Sequence, residues 1–496
     1  MSLPVIAPAG ALLDVLSRFR VEFYECLYAR ADALFELIDA VLCKDGPVKT
    51  RVEPSLPAEH RRGHGALYQA LNAGWIEPAR LRRLLGSLPM PRAVDGRIVL
   101  AVDVSNWLRP DAETSPDRLF CHIYGRGRSK DQFIPGWPCS FVAVLESGRT
   151  SWCRLLDAVR LGPADDAAAV AAAQLREVIQ RTITAGHWRE GDPDLLIVAD
   201  AGYDLARLAS LLADLPVEVC GRLRSDRVLA RDQAPDNAGT RPGRPRMHGA
   251  PFSLAKPATW GDAQIETRSE TTRYGTATAR AWDRLHPRLT RRSAWIEAQS
   301  AELPILHGLV VRLTVERLPG GRDPAPLWLW SSRPGADPSH VDQLWQAYLR
   351  RFDLEHTFRL LRQTLGWTAP KLREPASAAM WTWLIIVVHT QLWLARSATK
   401  DLRRPWERSL PTDKLTPARV RRGLPGHGSA AWRCLRSVAR LSCVCALAHT
   451  GGPSGAVPSR SGGFRPPEVP GTPSLPGRGG APRARCPTPA APWLGG

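Results

Sequence analysis

Four polar residues between positions 348 and 362 have types and spacing that could do chemistry together. Tyr348, Arg351, Glu355 and Arg362 lie at offsets of 0, 3, 7 and 14 along the chain. In an α-helix, at about 100° per residue, these offsets fall within an arc of about 60°. A phenol, a carboxylate and two guanidinium groups on one stripe suit a metal ion and phosphates. The alternative is a solvated helix face on which Arg351 and Glu355 form a local ion pair.

Two aspartates are candidate metal ligands to go with this stripe. Asp103 and Asp200 each close an apolar run that is typical of a β-strand. Carboxylates at the ends of adjacent strands can share two Mg²⁺ ions about 3.5–4 Å apart, because Mg²⁺ prefers oxygen ligands. Taken singly, either aspartate could instead be a turn or helix-capping residue.

An alternation of strands and helices must position these aspartates. The predicted strands cover 97–104, 139–147, 149–161, 194–204 and 217–223, and the predicted helices cover 164–188 and 205–215. Pattern and composition indicate only an α/β fold. The order of three strands followed by helix, strand, helix and strand resembles an RNase H-like core, and this resemblance suggests the topology.

The charge balance indicates a polyanionic partner. The 496 residues include 67 Lys+Arg and 48 Asp+Glu, a formal net charge of +19. Lys and Arg displace counterions condensed on phosphate backbones, so a nucleic acid is expected. A basic protein without such a partner is the alternative. Scattered cysteines and the lack of a signal-peptide pattern favour a cytoplasmic location.

Changes in composition and in the pattern of apolar residues along the chain predict six regions. They are a helical N-terminal region that could bind DNA or cap the next domain (1–95), the first part of the core (96–223), a β-rich insertion (224–334), the second part of the core with the Glu355 helix (335–400), a C-terminal region (401–451) and a disordered Pro/Gly-rich tail (452–496). The sequence pattern over 337–367 predicts one long helix, with Ser339 as its N-cap and Gly366 as the residue that ends it. The apolar stretch 381–395 predicts a buried helix, because it is too short to span a bilayer.

Three segments together resemble the bacterial insertion-sequence DDE transposases. YLRRFDLEHTFRLLR (348–362) resembles their Tyr-x2-Arg-x3-Glu-x6-Lys signature, with Arg362 in place of the Lys. VDVSNW (102–107) resembles the segment of the first Asp, and VADAGYD (198–204) that of the second. A long β-rich insertion before the Glu is also a feature of this group. The resemblance covers roughly residues 10–423.

The resemblance implies a two-metal enzyme that cuts double-stranded DNA at transposon terminal inverted repeats and joins the freed 3′-OH to target DNA. Its catalytic residues, and the ligands of two Mg²⁺ ions for which Mn²⁺ can substitute, would be Asp103, Asp200 and Glu355. The contacts to DNA would be made by Tyr348, Arg351 and Arg362. A homodimer on DNA is expected, in the bacterial cytoplasm at the nucleoid and without a membrane.

Two other functions fit the same residues: an RNase H-like nuclease without strand transfer, and an inactive DNA-binding transposase remnant. The second is suggested by residues 424–449, which depart from the family and predict a frameshift near residue 423. Weaker candidates are a zinc set in that segment, and tryptophans in the insertion that could stack on an unpaired base or pack in a β core. These residues are Cys434, Cys443, Cys445 and His449 for zinc, and Trp282 and Trp295 for stacking.

Overall fold

The computed structural model describes residues 9–50, 53–55, 62–63, 65–124, 131–148, 150–233, 247–289, 303–318, 321 and 323–424. The helices are α1 (Ala9–Tyr24), α2 (Ala31–Cys43), α3 (Gly65–Ala73), α4 (Pro78–Ser87), α5 (Ala167–Thr184), α6 (Leu205–Leu211), α7 (Pro338–Arg350), α8 (Phe352–Gln363), α9 (Pro375–Ala395) and α10 (Pro417–Gly423). The strands are β1 (Leu27–Ala29), β2 (Trp75–Ile76), β3 (Val99–Leu108), β4 (Leu119–Tyr124), β5 (Asp131–Leu145), β6 (Cys153–Arg160), β7 (Leu195–Ala199), β8 (Val217–Leu223), β9 (Val228–Ala230), β10 (Pro251–Ser253), β11 (Ile265–Thr271), β12 (Gly275–Pro287), β13 (Gly308–Val315) and β14 (Leu327–Ser331).

Within the described residues, twelve of these strands form one mixed sheet. Its centre has the order β6-β5-β3-β7-β8, in which β5 is antiparallel to β3 and β6, while β7 and β8 run parallel to β3. Parallel neighbours need a crossover, and in chain order α5 lies between β6 and β7, and α6 between β7 and β8. The α/β class predicted from the sequence is therefore confirmed.

The central sheet is covered by helices on both faces. Successive side chains of a strand point to opposite faces. Val99 and Ala101 of β3 accordingly lie in one apolar cluster with α7, α8 and α9. Leu100 and Val102 lie in a second cluster with α5 and α6. Burial on both faces explains why β7 and the first four residues of β3 (99–102) are continuous apolar runs rather than alternating ones.

The residues predicted as a β-rich insertion extend the central sheet beyond β8. β14 pairs antiparallel with β8, β13 with β14, and β12 with both β13 and β11. The end of β12 pairs with β9, which pairs in turn with β10. Phe252, Trp260, Trp282 and Trp328 pack ring against ring beside these strands. The domain boundaries themselves stay predictions.

α9 passes through the helical layer and packs against α1, α2 and β6. Within the described residues, the segment Pro375–Ala398 is the one helix long and apolar enough to cross a membrane, and 94% of its apolar window is buried in the fold. The buried helix predicted over 381–395 is thus present, but it begins earlier, at Pro375. Its polar Gln391 accepts a hydrogen bond from the buried Arg20 of α1, which also pairs with Asp39 of α2.

The prediction of one helix over 337–367 is wrong. The chain forms α7 and α8, separated by Arg351, whose backbone remains helical at φ −54° and ψ −30°. Hydrogen bonds from Arg351 N–H to Tyr348 C=O and from Leu354 N–H to Arg351 C=O span only three residues, which tightens the chain at this point. No Gly or Pro marks the break.

The predicted N-cap is also wrong. The side chain of Asp337, not Ser339, accepts a hydrogen bond from the N–H of His340, and Pro338 takes the first helical position. At the other end α8 stops at Gln363, before Gly366. The sequence patterns also gave no sign of β4, β9, β10 or β12.

Candidate active site

Asp103 and Asp200 lie side by side on neighbouring parallel strands. The pairing of β3 with β7 ends with Val102 opposite Ala199, and the next residue of each strand is the aspartate. The predicted strand end at Asp103 is wrong, because β3 continues to Leu108 in its ladder with β5. β7 itself ends at Ala199, so Asp200 lies in the loop directly after the strand.

Strand alternation turns both aspartates to the face that α7 and α8 cover. Asp103 has the parity of Val99 and Ala101, which belong to the apolar cluster on that face. α8 packs onto it through Phe358, whose ring lies 5.1 Å from that of Phe141 in β5. Glu355 is one turn earlier on α8, and its side chain remains 39% exposed.

The guanidinium of Arg351 joins the three carboxylates. Its Nη1 donates to Asp103 Oδ2 at 2.6 Å, and its Nη2 donates to Glu355 Oε1 at 2.9 Å. The same Nη2 lies 3.8 Å from Asp200 Oδ1. The Arg351 side chain is only 4% exposed. The predicted acidic residues therefore converge around one buried cation contributed by the break between α7 and α8.

The cluster carries an excess of negative charge away from bulk water. Burial raises the pKa of Asp103 to about 6; the cation of Arg351 opposes this change, and the charges of Asp200 and Glu355 add to it. Burial alone would lower the pKa of Arg351, but the acidic neighbours, led by Asp103, raise it above its ordinary value. Arg351 is therefore always charged and supplies a single positive charge to three carboxylates.

The three predicted DNA contacts lie in different surroundings. Tyr348 is buried, and its hydroxyl donates to Asp200 Oδ1 at 3.1 Å. Arg351 is buried among the carboxylates, as described above. Arg362 is exposed near the end of α8, where its Nε donates to the carbonyl of Phe358. Tyr348 and Arg351 thus hydrogen-bond to the carboxylates of the acidic cluster. Partial burial lowers the pKa of Arg362, and the carboxylate of Glu355 is close enough for its charge to oppose this change. Contact of any of the three with DNA stays a prediction.

The donor set fits a hard divalent cation. Each of Asp103, Asp200 and Glu355 offers carboxylate oxygens, which are the ligands that Mg²⁺ and Mn²⁺ prefer. Burial is the main cause of the raised pKa of Asp103, and the negative charges of Asp200 and Glu355 add to it. A divalent ion at this place would relieve that repulsion, so the residues present are compatible with the metal site predicted from the sequence.

Two grooves with basic walls flank the cluster. One, of about 450 Å³, is lined by the loop after Asp200 and by four arginines: Arg222, Arg224, Arg227 and Arg288. The other, of about 700 Å³, runs along α8 and is lined by the cations Arg273, Arg350, Arg359 and Lys414, together with Asp353 and Asp413. The sequence did not single out these residues, because they are scattered over β8, the insertion, α7, α8 and the segment before α10. The net positive charge was the only signal.

The weaker sequence candidates have separate outcomes. Trp282 is buried and lies 5.8 Å from Trp328, ring centroid to centroid, which is core packing rather than an exposed stacking platform. Asp204 caps α6 by accepting from the N–H of Arg207. Trp295 and the proposed zinc ligands Cys434, Cys443, Cys445 and His449 lie outside the described residues, as does most of the sequence beyond 423.

Comparison with known proteins gives a family for the chain. A family model described as "DDE superfamily endonuclease" matches residues 22–288, which include Asp103 and Asp200 and end before Glu355. No curated protein matches the chain. Among solved structures, the C-terminal lobe of a budding yeast Argonaute is similar at 8% identity and a TM-score of 0.23, over 68% of this chain and 57% of that one, and nothing about this chain follows from it. Because residues 22–288 are more than half of its 496 residues, the chain belongs to the DDE superfamily endonucleases.

Proposed function

We propose that this chain is the DDE transposase of a bacterial insertion sequence, which cuts the ends of its element and joins them to target DNA. The observation that carries the proposal is the convergence of Asp103, Asp200 and Glu355 on one guanidinium, in a chain of the DDE endonuclease family. The strand order β6-β5-β3-β7-β8, with the first three antiparallel and the last two parallel to β3, supports an RNase H-like core. A homodimer on two DNA ends, in the cytoplasm, is part of the proposal.

The three carboxylates would hold two Mg²⁺ ions, with Mn²⁺ as a substitute. When bound, such ions supply charge stabilisation to the phosphate under attack and activate the attacking oxygen. Arg351 holds the carboxylates together by neutralising part of their charge, and Tyr348 orients Asp200 through its hydroxyl. Burial raises the pKa of Tyr348 above its ordinary value, so its hydroxyl remains protonated. Tyr348 is therefore a hydrogen-bond donor and not a nucleophile.

The groove lined by Arg222, Arg224, Arg227 and Arg288 would bind the DNA backbone. It adjoins the loop after Asp200, and three of its four arginines are exposed. Arginine pairs with phosphate through two parallel hydrogen bonds, which fixes position as well as supplying charge. DNA bound here would run past the end of β7 toward the acidic cluster.

Arg227→Ala and Arg288→Ala are each expected to weaken DNA binding at every sequence tested. Each should reduce the slope of log K against log salt by about 0.9, the value for one lost phosphate contact. The matched control is Arg189→Ala, an exposed arginine in the loop before β7, at the opposite end of that strand. If the slope of log K against log salt is the same for the two groove variants and the control, this groove does not bind DNA.

A strand-transfer assay tests the function as a whole. The full chain is given labelled duplexes of the DNA that flanks its own gene, one set uncut and one set already cut to expose a 3′-OH, with a supercoiled plasmid and Mg²⁺. Joined plasmid products that disappear in Glu355→Gln are the result that the proposal predicts. Cutting without joining would replace it by the nuclease alternative. Binding without cutting or joining would favour the inactive remnant, which the departure beyond residue 423 suggests.

A further inference from the structure

A second group of potential metal ligands lies in the insertion, apart from the acidic cluster. Asp232 follows β9, His286 lies near the end of β12, and His307 immediately precedes β13. Their ligand atoms all lie within 4.8 Å of one another. The sequence gives no hint of this group, because its members come from three separate segments.

The distances suit a small tetrahedral ion. His307 Nε2 lies 2.5 Å from Asp232 Oδ1, and His286 Nδ1 lies 3.8 Å from the same oxygen. In a tetrahedral zinc site, with bonds of about 2.0–2.1 Å, neighbouring ligand atoms are about 3.3 Å apart. The contact between His307 and Asp232 is a hydrogen bond. A bound zinc ion would replace its proton, and the two atoms would separate by about 0.8 Å while His286 and Asp232 approach by about 0.5 Å.

His286 is prepared as a ligand by its surroundings. It is fully buried, and its Nδ1, which faces Asp232, has no hydrogen-bond partner. Its other nitrogen, Nε2, lies 3.0 Å from Nδ1 of His248. If Nε2–H donates to His248, the lone pair of Nδ1 is free to bind a metal, and the ring orientation is fixed. Ligating histidines are normally held in this way by a second hydrogen bond.

The backbone of β12 has an irregular conformation beside Asp232 and the two histidines. Between Trp282 and Leu285 the register of β12 with β13 shifts, and Arg284 in this bulge has φ 54°, a left-handed conformation that is uncommon for a residue with a side chain. The bulge redirects β12 from β13 to β9, so that His286 pairs with Ala230. The Nε of Arg284 then donates to Asp232 Oδ2 at 3.0 Å, which leaves Oδ1 facing the two histidines. An uncommon backbone conformation of this kind, beside a group of potential ligands, often accompanies a functional feature.

We propose that Asp232, His286 and His307 bind a zinc-type divalent ion, with His248 orienting His286 and with water in the fourth position. Two imidazoles and one carboxylate favour Zn²⁺ over Mg²⁺, which takes oxygen ligands almost exclusively. Bound there, the ion ties together β9, β12 and β13, at the outer part of the insertion. This site is independent of the proposed transposase activity.

Zinc binding by the full chain tests the site. The protein is stripped with a chelator and titrated with Zn²⁺ against a chromophoric competitor, in millimolar Mg²⁺ to saturate the acidic cluster. Wild-type protein should bind one Zn²⁺ that His307→Ala and Asp232→Asn bind at least about 100-fold more weakly, since each loses one of three protein ligands. Co²⁺ in place of Zn²⁺ should give wild-type protein the intense visible absorption of tetrahedral coordination, and the variants should lack it.

The matched control is Asp214→Asn, because Asp214 is also an exposed aspartate paired with an arginine, Arg176. It should bind zinc like the wild type. Circular dichroism of each variant establishes that it is folded. Failure of wild-type protein to bind Zn²⁺ in excess Mg²⁺ would overturn the proposal. So would equal zinc affinity in folded His307→Ala, which would place the ion elsewhere in the chain.

Discussion

Removing the guanidinium of Arg351 would leave three carboxylates facing one another without their counter-ion. In Arg351→Met the side chain keeps much of its apolar length but loses the pairs to Asp103 at 2.6 Å and Glu355 at 2.9 Å. Deleting one partner of a buried ion pair costs about 3–5 kcal/mol, because the remaining charge is left uncompensated. In a fold of roughly 400 residues, with an unfolding entropy of about 2.1 cal/mol/K per residue, that corresponds to a fall in Tm of roughly 4–6 °C.

The assay is thermal unfolding of the full chain with and without Mn²⁺. Without metal, Arg351→Met should unfold well below the wild type, and Mn²⁺ should restore more of its Tm than it adds to wild-type protein, since the ion then has no guanidinium to compete with. Arg176→Met is the control: its pair with Asp214 is largely exposed and screened by water, so its loss should change the Tm little. If Arg351→Met is no less stable than this control, or if Mn²⁺ acts equally on all three proteins, Arg351 is not the counter-ion of a metal site.

Two further perturbations test the packing that supports the site. Burial would raise the pKa of Glu218, but its partners, led by His340, lower it to about 2. The ionised carboxylate therefore stabilises the fold by roughly 3 kcal/mol above the unfolded pKa near 4.5, and this stabilisation is lost as pH falls toward 2. Glu218→Gln should be less stable than the wild type at pH 7 and should lack this part of the pH dependence of stability. Urea unfolding between pH 2 and 7 measures both, and an unchanged pH profile would contradict the assignment. Gly221→Ala should lose about 1–3 kcal/mol, because a Cβ there would come within 2.7 Å of the carbonyl oxygen of Ala199, next to the active-site loop. Gly65→Ala, where a Cβ meets nothing within 4 Å, is its control, and equal stability of the two variants would show that the close approach is not limiting.

The parts of the site that could be predicted are those with strong local patterns. β7 is a short apolar run, and β8, the segment 217–223, was predicted with the bounds it has in the structure. Asp200 follows such a run, so its place at the end of β7 could be anticipated. The spacing of Arg351 and Glu355 also sufficed, because four residues make about one helical turn whether or not the helix is broken nearby.

The features that escaped prediction depend on contacts between distant segments. The break at Arg351 has no Gly or Pro to mark it, and it coincides with ion pairs to residues about 150 and 250 positions away in sequence. The first half of β12 alternates alanine with threonine and arginine and has no large apolar residues, so its strand pattern is weak. His286 and the basic grooves could not be recognised before that strand was in place.

The most direct test of the central claim compares DNA cleavage by wild-type protein with that by Glu355→Gln and Glu177→Gln, in Mg²⁺ and in chelator. Both glutamates pair with an arginine four residues away, Glu355 with Arg351 and Glu177 with Arg181, and each substitution removes one negative charge while keeping the shape of the side chain. Circular dichroism of both variants establishes that they are folded. Cleavage that needs Mg²⁺, falls by at least about 1000-fold in Glu355→Gln and persists in Glu177→Gln is the predicted result. Metal-dependent cleavage that survives in Glu355→Gln would contradict the assignment of Asp103, Asp200 and Glu355 as the catalytic centre.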